Sequence, residues 1–485
     1  MRALQPSDLA RSKSFVPPAF SSAQVTLDKH RIAVLPFANF SPDPNDEYFA
    51  DGITEEIIST VSGISGLSVI SRTSVMGYKG TTKKVKEIGR ELDVGSVLEG
   101  SFRKAGNKIR ITTQLIDVAG DKHLWAQNYD RELDDVFAVQ SDIARQVANA
   151  LRVRILPRDQ THIEKTPTRN PEAHSLYLKG RYFWNQRIKE SLLKSIEEYQ
   201  AAIKLDPDYA LAYSGIADCY AVLGSHGHMP YAEAFPKSKE FALKAVERDY
   251  ASAEAHTSLG IAMHQTRDNA AEAEFEKAIE LNPSYATAHH YHGILLLNTG
   301  RREGALQEAL TAQKLDPLSP QIATFAGITY DALGSYDQAE SQHLRALELQ
   351  PDFLPAIENL AGTYWHERKF DDVERIGQTY LRVSKDELTS KLAFAANYAL
   401  AGKEKEARRT MAEAEAIPNP AHLNDGLRIT YHIALRELDK AVELIEDEYA
   451  RGADWLGEIA YDPLYAAVRN DPRVESILRK AGAAL

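Results

Sequence analysis

Apolar and polar positions follow two different periods along this chain, and the change of period falls near residue 157. RIAVLPF (31–37) is a short apolar run ending around Pro36, which predicts a strand. In GITEEIISTVSGI (52–64), Ile53, Ile57, Ile58 and Val61 recur at helical spacing, with Thr54 and Glu55–Glu56 favouring the helix start. LSVISR (67–72) predicts a strand and VKEIGRELDV (85–94) a second helix. Residues 96–132 alternate with period two around the turn AGNK, which predicts a hairpin and one further strand. Phe137, Ile143, Val147 and Leu151 then mark the stripe of a closing helix. This order predicts a small α/β domain over 29–156, behind a leader (1–28) of Ser, Pro and charge without periodicity, read as disordered. Residues 157–170 read as a linker, and beyond them the chain is helical.

The helical part repeats itself. Pro207, Pro283, Pro317 and Pro351 each close a Leu-x-Pro triplet, the last three spaced by 34, and Tyr250 holds the equivalent place in between. Five residues before each stands an alanine: Ala202, Ala245, Ala278, Ala312 and Ala346. Ten residues on comes Ala217, Gly260, Gly293, Gly327 or Ala361. Two antiparallel helices approach closely only where side chains are small, and proline ends the second helix of a unit. The pattern resembles the tetratricopeptide repeat and implies seven to eight helical pairs over 171–450. The second unit carries about nine extra residues near 224–236, expected as a loop. Two Asp-Pro pairs in 451–485 predict short helices that cap the last apolar face. The fold class expected is therefore an α+β two-part chain, a small α/β domain followed by an all-α superhelical solenoid.

Pro36-Phe37, Asp51-Gly52, Ser71-Arg72, Glu99-Gly100-Ser101, Arg110-Ile111 and Trp125 give residues 32–125 a dense likeness. The segment resembles the TolB-like/FlgO-like domain that precedes tetratricopeptide repeats in many prokaryotic proteins. Such domains are commonly fused to a class III nucleotide cyclase, a winged-helix domain or a protein kinase. The resemblance implies a regulatory or scaffolding module and no reaction. The sequence starts almost directly at this domain, so none of those outputs is expected within it.

Composition narrows the function. With 44% hydrophobic and 26% charged residues the 485-residue chain reads as globular, and the single cysteine, Cys219, excludes a disulfide framework. No apolar run is long enough for a membrane helix or signal-peptide core, so the cytoplasm is the expected compartment. Of the net charge of −12, residues 29–157 contribute nothing, with 17 Lys and Arg against 17 Asp and Glu. The acidity lies in the repeats, which disfavours nucleic acid as a partner there. GSVLEGSF (95–102) has two glycines but no lysine after the second and leads into a strand, so no phosphate cradle is expected. His289 and His292 share a helical face but fall at packing positions, and His226 and His228 sit in the inserted loop. No metal, cofactor or catalytic residue is assigned, and the chain is expected not to be an enzyme.

In the repeat frame the inner-face positions of units two to six are Ser214, Thr257, His290, Thr324 and Glu358. One turn later come Asp218, Ile261, Ile294, Ile328 and Gly362. No basic carboxylate clamp is present. Ile261, Ile294, Ile328, Leu297 and Trp365, with Thr257, His290 and Thr324, instead predict an apolar groove for a partner helix or peptide. The competing reading packs the isoleucines against the next helix or the front domain. The function expected is a non-enzymatic interaction scaffold. The alternatives are a small-molecule or nucleotide sensor acting through the α/β domain, or a regulatory relative of cyclase and winged-helix fusions without their output. A homo-oligomer is compatible with the sequence.

Overall fold

In a computed structural model of the chain, residues 27–43, 46–384, 386–418, 425–453 and 455–482 are described. Apart from Leu27 and Asp28, the leader lies outside them.

The front domain consists of β1 (Arg31–Val34), β2 (Ala38–Asn39), α1 (Glu47–Ser62), β3 (Ser68–Val69), α2 (Arg72–Met76), α3 (Val85–Glu91), β4 (Ser96–Ala105), β5 (Lys108–Asp117), β6 (Lys122–Glu132), α4 (Val136–Ala150) and α5 (Pro157–Ile163). The sheet runs β3–β1–β4–β5–β6, with β2 beside the far end of β4. β1 is parallel to β3 and β4, whereas β4, β5 and β6 are antiparallel. All four β1 residues are buried, as a parallel strand covered on both faces must be. The β4–β5 turn is Gly106-Asn107, with Gly106 at φ 62°, the left-handed first position that favours glycine. Two expectations change. LSVISR pairs only through Ser68 and Val69 before Arg72 opens a helix. The expected linker holds α5, whose Asp159 is buried and accepts a hydrogen bond from Ser65 at 2.7 Å.

Among the described residues eight helix pairs follow, counted as repeats 1 to 8, each with an inner helix and an outer one. The inner helices are Pro171–Trp184, Ala210–Ser225, Ala253–Gln265, Ala286–Asn298, Pro320–Ala332, Leu354–His366, Glu387–Leu400 and Asp425–Ala434. The outer helices are Lys189–Leu205, Tyr231–Arg248, Ala271–Leu281, Arg302–Leu315, Tyr336–Leu349, Phe370–Val383, Glu404–Glu415 and Leu438–Arg451. The periodic alanines 202, 245, 278, 312 and 346 are all fully buried. A methyl at Gly260 would stand 2.8 Å from the Phe275 ring, and one at Gly327 would stand 2.4 Å from His343, so small residues set the helix spacing. The extra residues of repeat 2 mostly lengthen its helices to 16 and 18 residues, against 13 and 11 in repeat 3; only His226–Pro230 remain as loop.

Every turn between an inner and an outer helix contains one left-handed residue. Repeats 2, 4, 5 and 7 use Gly227, Gly300, Gly334 and Gly402, at φ between 68° and 79°. Repeats 1, 3, 6 and 8 use Arg187, Arg267, Arg368 and Arg436, at 57° to 61°. A side chain in that region costs about 1 kcal/mol or more, so an arginine there must be offset elsewhere or tolerated. Arg267 has compensation. It donates to the Ala453 carbonyl at 2.9 Å and lies 4.4 Å from the Tyr449 ring, joining repeat 3 to the end of repeat 8. Tyr231 of repeat 2 packs into the repeat 8 core as well, so the array curls until its last unit meets its early ones.

The two parts share a long seam. Helix α1 lies along the inner helix of repeat 1, where Gly52 leaves room for Leu178, which is itself buried in the front-domain core. Glu55 pairs with Arg181 and, at 3.0 Å, with Arg72; Glu56 meets His174 at 2.7 Å. Beyond repeat 1, the contacts fall on turns between repeats and inner-helix starts: Ser59 to Glu254 (2.8 Å), Asn282 to Ser62 (2.7 Å), the Ser71 amide to the Leu315 carbonyl (2.8 Å) and Ser74 to Asp316. Arg31 is buried and donates to the Lys314 carbonyl at 2.6 Å.

Candidate functional site

The inner helices carry the predicted site residues along one face, but the chain itself covers much of that face. Thr257 and Thr324 are buried, at 2% and 3% exposure, and Ile261 packs with Ala221, Phe275 and Leu295. His290 lies with its ring 5.2 Å from Phe325; burial pulls its pKa down to about 4, so it is neutral at pH 7. Leu297 belongs to a cluster with Leu296, Phe325, Ala326 and Ala332, and Ile294 and Ile328 pack against it. The same cluster contains Tyr461 from the C-terminal segment. Trp365 packs on the repeat 6 core, as does Leu464 of that segment. Ser214 is buried and Asp218 accepts a hydrogen bond from Ser258 at 2.7 Å; burial raises the Asp218 pKa. At the far end, burial also raises the pKa of Glu358.

Thr257, Thr324, Ile261 and Leu297 are thus packed within the array rather than lining an open groove, and a feature the row did not reveal lies against the rest. After repeat 8, residues Trp455–Ala460 and Pro463–Ala467 form two short 3-10 turns, then Pro472–Lys480 a helix. Asp462 and Asp471 cap the starts of the second turn and the helix, through the Leu464 and Arg473 amides. The turns pack on the inner helices of repeats 4 and 6. Gly457 lies so close to Asn298 that a methyl there would stand 2.8 Å from its Cβ. Asp462 meets His366 at 3.3 Å. Burial pulls the His366 pKa down, but Asp331 and Asp462 outweigh it and hold it at about 9.

Several buried histidines of the repeats have structural partners. His256 and His289 make the same bridge in consecutive repeats, with Nε2 at 2.9 and 3.0 Å from the carbonyls of the equivalent residues Tyr250 and Pro283. Their Nδ1 atoms face Glu274 and Glu308 on the outer helices. Burial works against the Glu308 charge, yet His289 and His292 hold its pKa down at about 2. Among the described residues no group of three or more His, Cys, Asp or Glu is placed to hold a metal ion. Cys219 is buried, which pushes its thiol up to about 12. Gly95 and Gly100 serve close packing: a methyl at either would stand 2.4 Å from a backbone carbonyl oxygen, of Asp28 or Thr112. No described helix is long and apolar enough to cross a membrane.

Comparison with known proteins follows this division. Residues 28–146 match the model of the second domain of HilA/YgeH-like transcriptional regulators, a description other than the TolB-like/FlgO-like one expected. Residues 187–224 and 290–352 match tetratricopeptide repeat models. A protein named "Putative adenylate cyclase 3" from Rhizobium meliloti (strain 1021) is 43% identical over 189 residues, 39% of this chain and 32% of that protein. The transcriptional regulator HilA of Salmonella typhimurium is 26% identical over 346 residues, 67% of this chain and 60% of HilA. The chain therefore spans less than two thirds of either relative. A solved structure concerning pilF of Pseudomonas aeruginosa is 21% identical with a TM-score of 0.34, covering 46% of this chain and 97% of that one. The chain carries tetratricopeptide repeats behind a small sheet-containing domain similar to the second domain of HilA/YgeH-like regulators.

Proposed function

We propose that this chain is a non-enzymatic regulatory scaffold whose repeat array takes a partner protein on its inner face, with the front domain as the module that positions the array. The reading rests on one observation above all: Ile294, Ile328, Trp365 and His290, the part-exposed members of the predicted row, line up on consecutive inner helices. Repeat arrays present such extended surfaces because the small rotation between successive units curves the stack. The front domain supports a regulatory role, since its likeness is to a transcriptional regulator and the chain also has a relative named as a cyclase. We place this function in the cytoplasm, with no step of catalysis assigned to the chain.

The test is capture from the source cell's lysate by the full chain, against the same chain carrying Ile294→Asp and Ile328→Asp. A protein retained by the first and lost by the second, with both folded by circular dichroism, supports the reading. A partner retained equally by both moves the site off this face.

A further inference from the structure

The tail's contacts on the inner face have the character of a bound ligand. Tyr461 inserts its ring among apolar side chains of repeats 4 and 5 and keeps only 7% exposure. The next residue, Asp462, pairs with His366 at the end of the repeat 6 inner helix. On its other side His366 also faces Asp331 at 3.8 Å, and Arg302 donates to the Ala332 carbonyl at 3.1 Å beside the same cluster. The array therefore presents an apolar seat with His366 at its edge, and the chain's own aromatic–acidic pair fills it. The covering segment consists of two 3-10 turns of six and five residues, which have poorer hydrogen-bond geometry than a helix.

We propose that residues 455–467 are an intramolecular ligand on the inner face of repeats 4 to 6, and that the partner is a protein segment with an aromatic side chain followed at once by an acidic one, which displaces Tyr461 and Asp462. This rests on the inner face being the partner site and names the chemistry the partner must carry. A tethered ligand acts at a local concentration in the millimolar range. A partner therefore meets a mostly occupied seat, and its apparent affinity falls by the fraction of open chain.

The experiment uses the full chain with Tyr461→Ala and Asp462→Ala, and a fluorescent peptide of sequence LGEIAYDPLYA, copied from 456–466. Fluorescence anisotropy is expected to show the peptide binding the variant at least about ten-fold more tightly than the unaltered chain. A peptide with Ala-Asn in place of Tyr-Asp is expected not to bind. Equal binding to both chains, or none to a variant that melts cooperatively, overturns the proposal. Hydrogen exchange on the unaltered chain gives a second reading that needs no variant. The amides of 457–465 are expected to exchange through a local opening, faster than the inner helices of repeats 4 and 5; exchange only with global unfolding overturns the displaceable ligand. The lysate capture decides separately whether Ile294 and Ile328 form a partner site at all, so failure of the peptide alone removes this inference and leaves the scaffold reading standing.

Discussion

The array is held at two places by the rest of its own chain, and the two attachments are built from opposite materials. Around the apolar contact at Leu178, the front-domain seam is a run of polar contacts: Glu55 between Arg181 and Arg72, Glu56 with His174, and serines on Asp316, Asn282 and Glu254. The tail seat is mainly apolar, centred on Tyr461, with a charged pair at its edge. A buried polar contact is costly to leave half-made, so it fixes one register. Apolar contact is non-directional and accepts any side chain of similar size and shape. The difference teaches that the seam fixes a position, whereas the seat can exchange its occupant.

The largest test of that contrast is Glu55→Ala, which leaves two guanidinium groups facing each other without their shared carboxylate. A loss of about 3–4 kcal/mol is expected, read as a lower urea midpoint, with front domain and repeats melting apart. A single unshifted transition would show the seam to be incidental.

Next comes pH at the seat. The folded His366 pKa of about 9 lies above the ordinary value for histidine, so its stabilisation is complete below about pH 6.5 and is lost as pH rises through 9. The groups around it are Asp331, His343, Tyr336 and Asp462. At most about 3 kcal/mol is involved, and it should appear as faster exchange of 455–467 at pH 9.5 than at pH 7, after correction for intrinsic rates. His366→Gln should abolish that difference; if it persists, another group controls the tail.

A smaller loss, about 2 kcal/mol, is expected for Gly52→Ala, whose new methyl would fall 2.6 Å from Leu178. Thermal melts decide it, and an unchanged melting temperature would mean that α1 slides along the repeat at little cost. The smallest effects belong to the left-handed arginines. Arg368→Gly and Arg436→Gly should stabilise by up to about 1 kcal/mol. Arg267→Gly should gain nothing or lose, because Arg267 also holds Ala453 and Tyr449. Equal effects at all three would leave that contact without energetic weight.

Much of this architecture was legible in the residues. The alanines and glycines announce where helices cross, and the spacing of 34 follows from the length of one helix pair. That the row's residues lie on inner helices was legible for the same reason, since helix membership is a local property. What lies against a face is not. Tyr461 meets residues more than 120 positions away, and no local period signals that return. The helix at 157–163 was hidden because Pro157 is both a breaker and a favoured first helical residue. The hairpin was clear, and LSVISR was read as a strand, but only two of its residues pair because Arg72 opens a helix at once.

The contact between repeat 3 and the end of repeat 8 has one more consequence. An open stack can gain or lose a unit at either end at the cost of a single interface. Here Arg267 reaches Tyr449 only when the intervening pairs have turned the chain through the right angle. One pair more or fewer would carry Tyr449 out of reach. The number of units between repeats 3 and 8 is therefore a geometric constant of this molecule, and repeat 8 is expected to lose its freedom to fray independently.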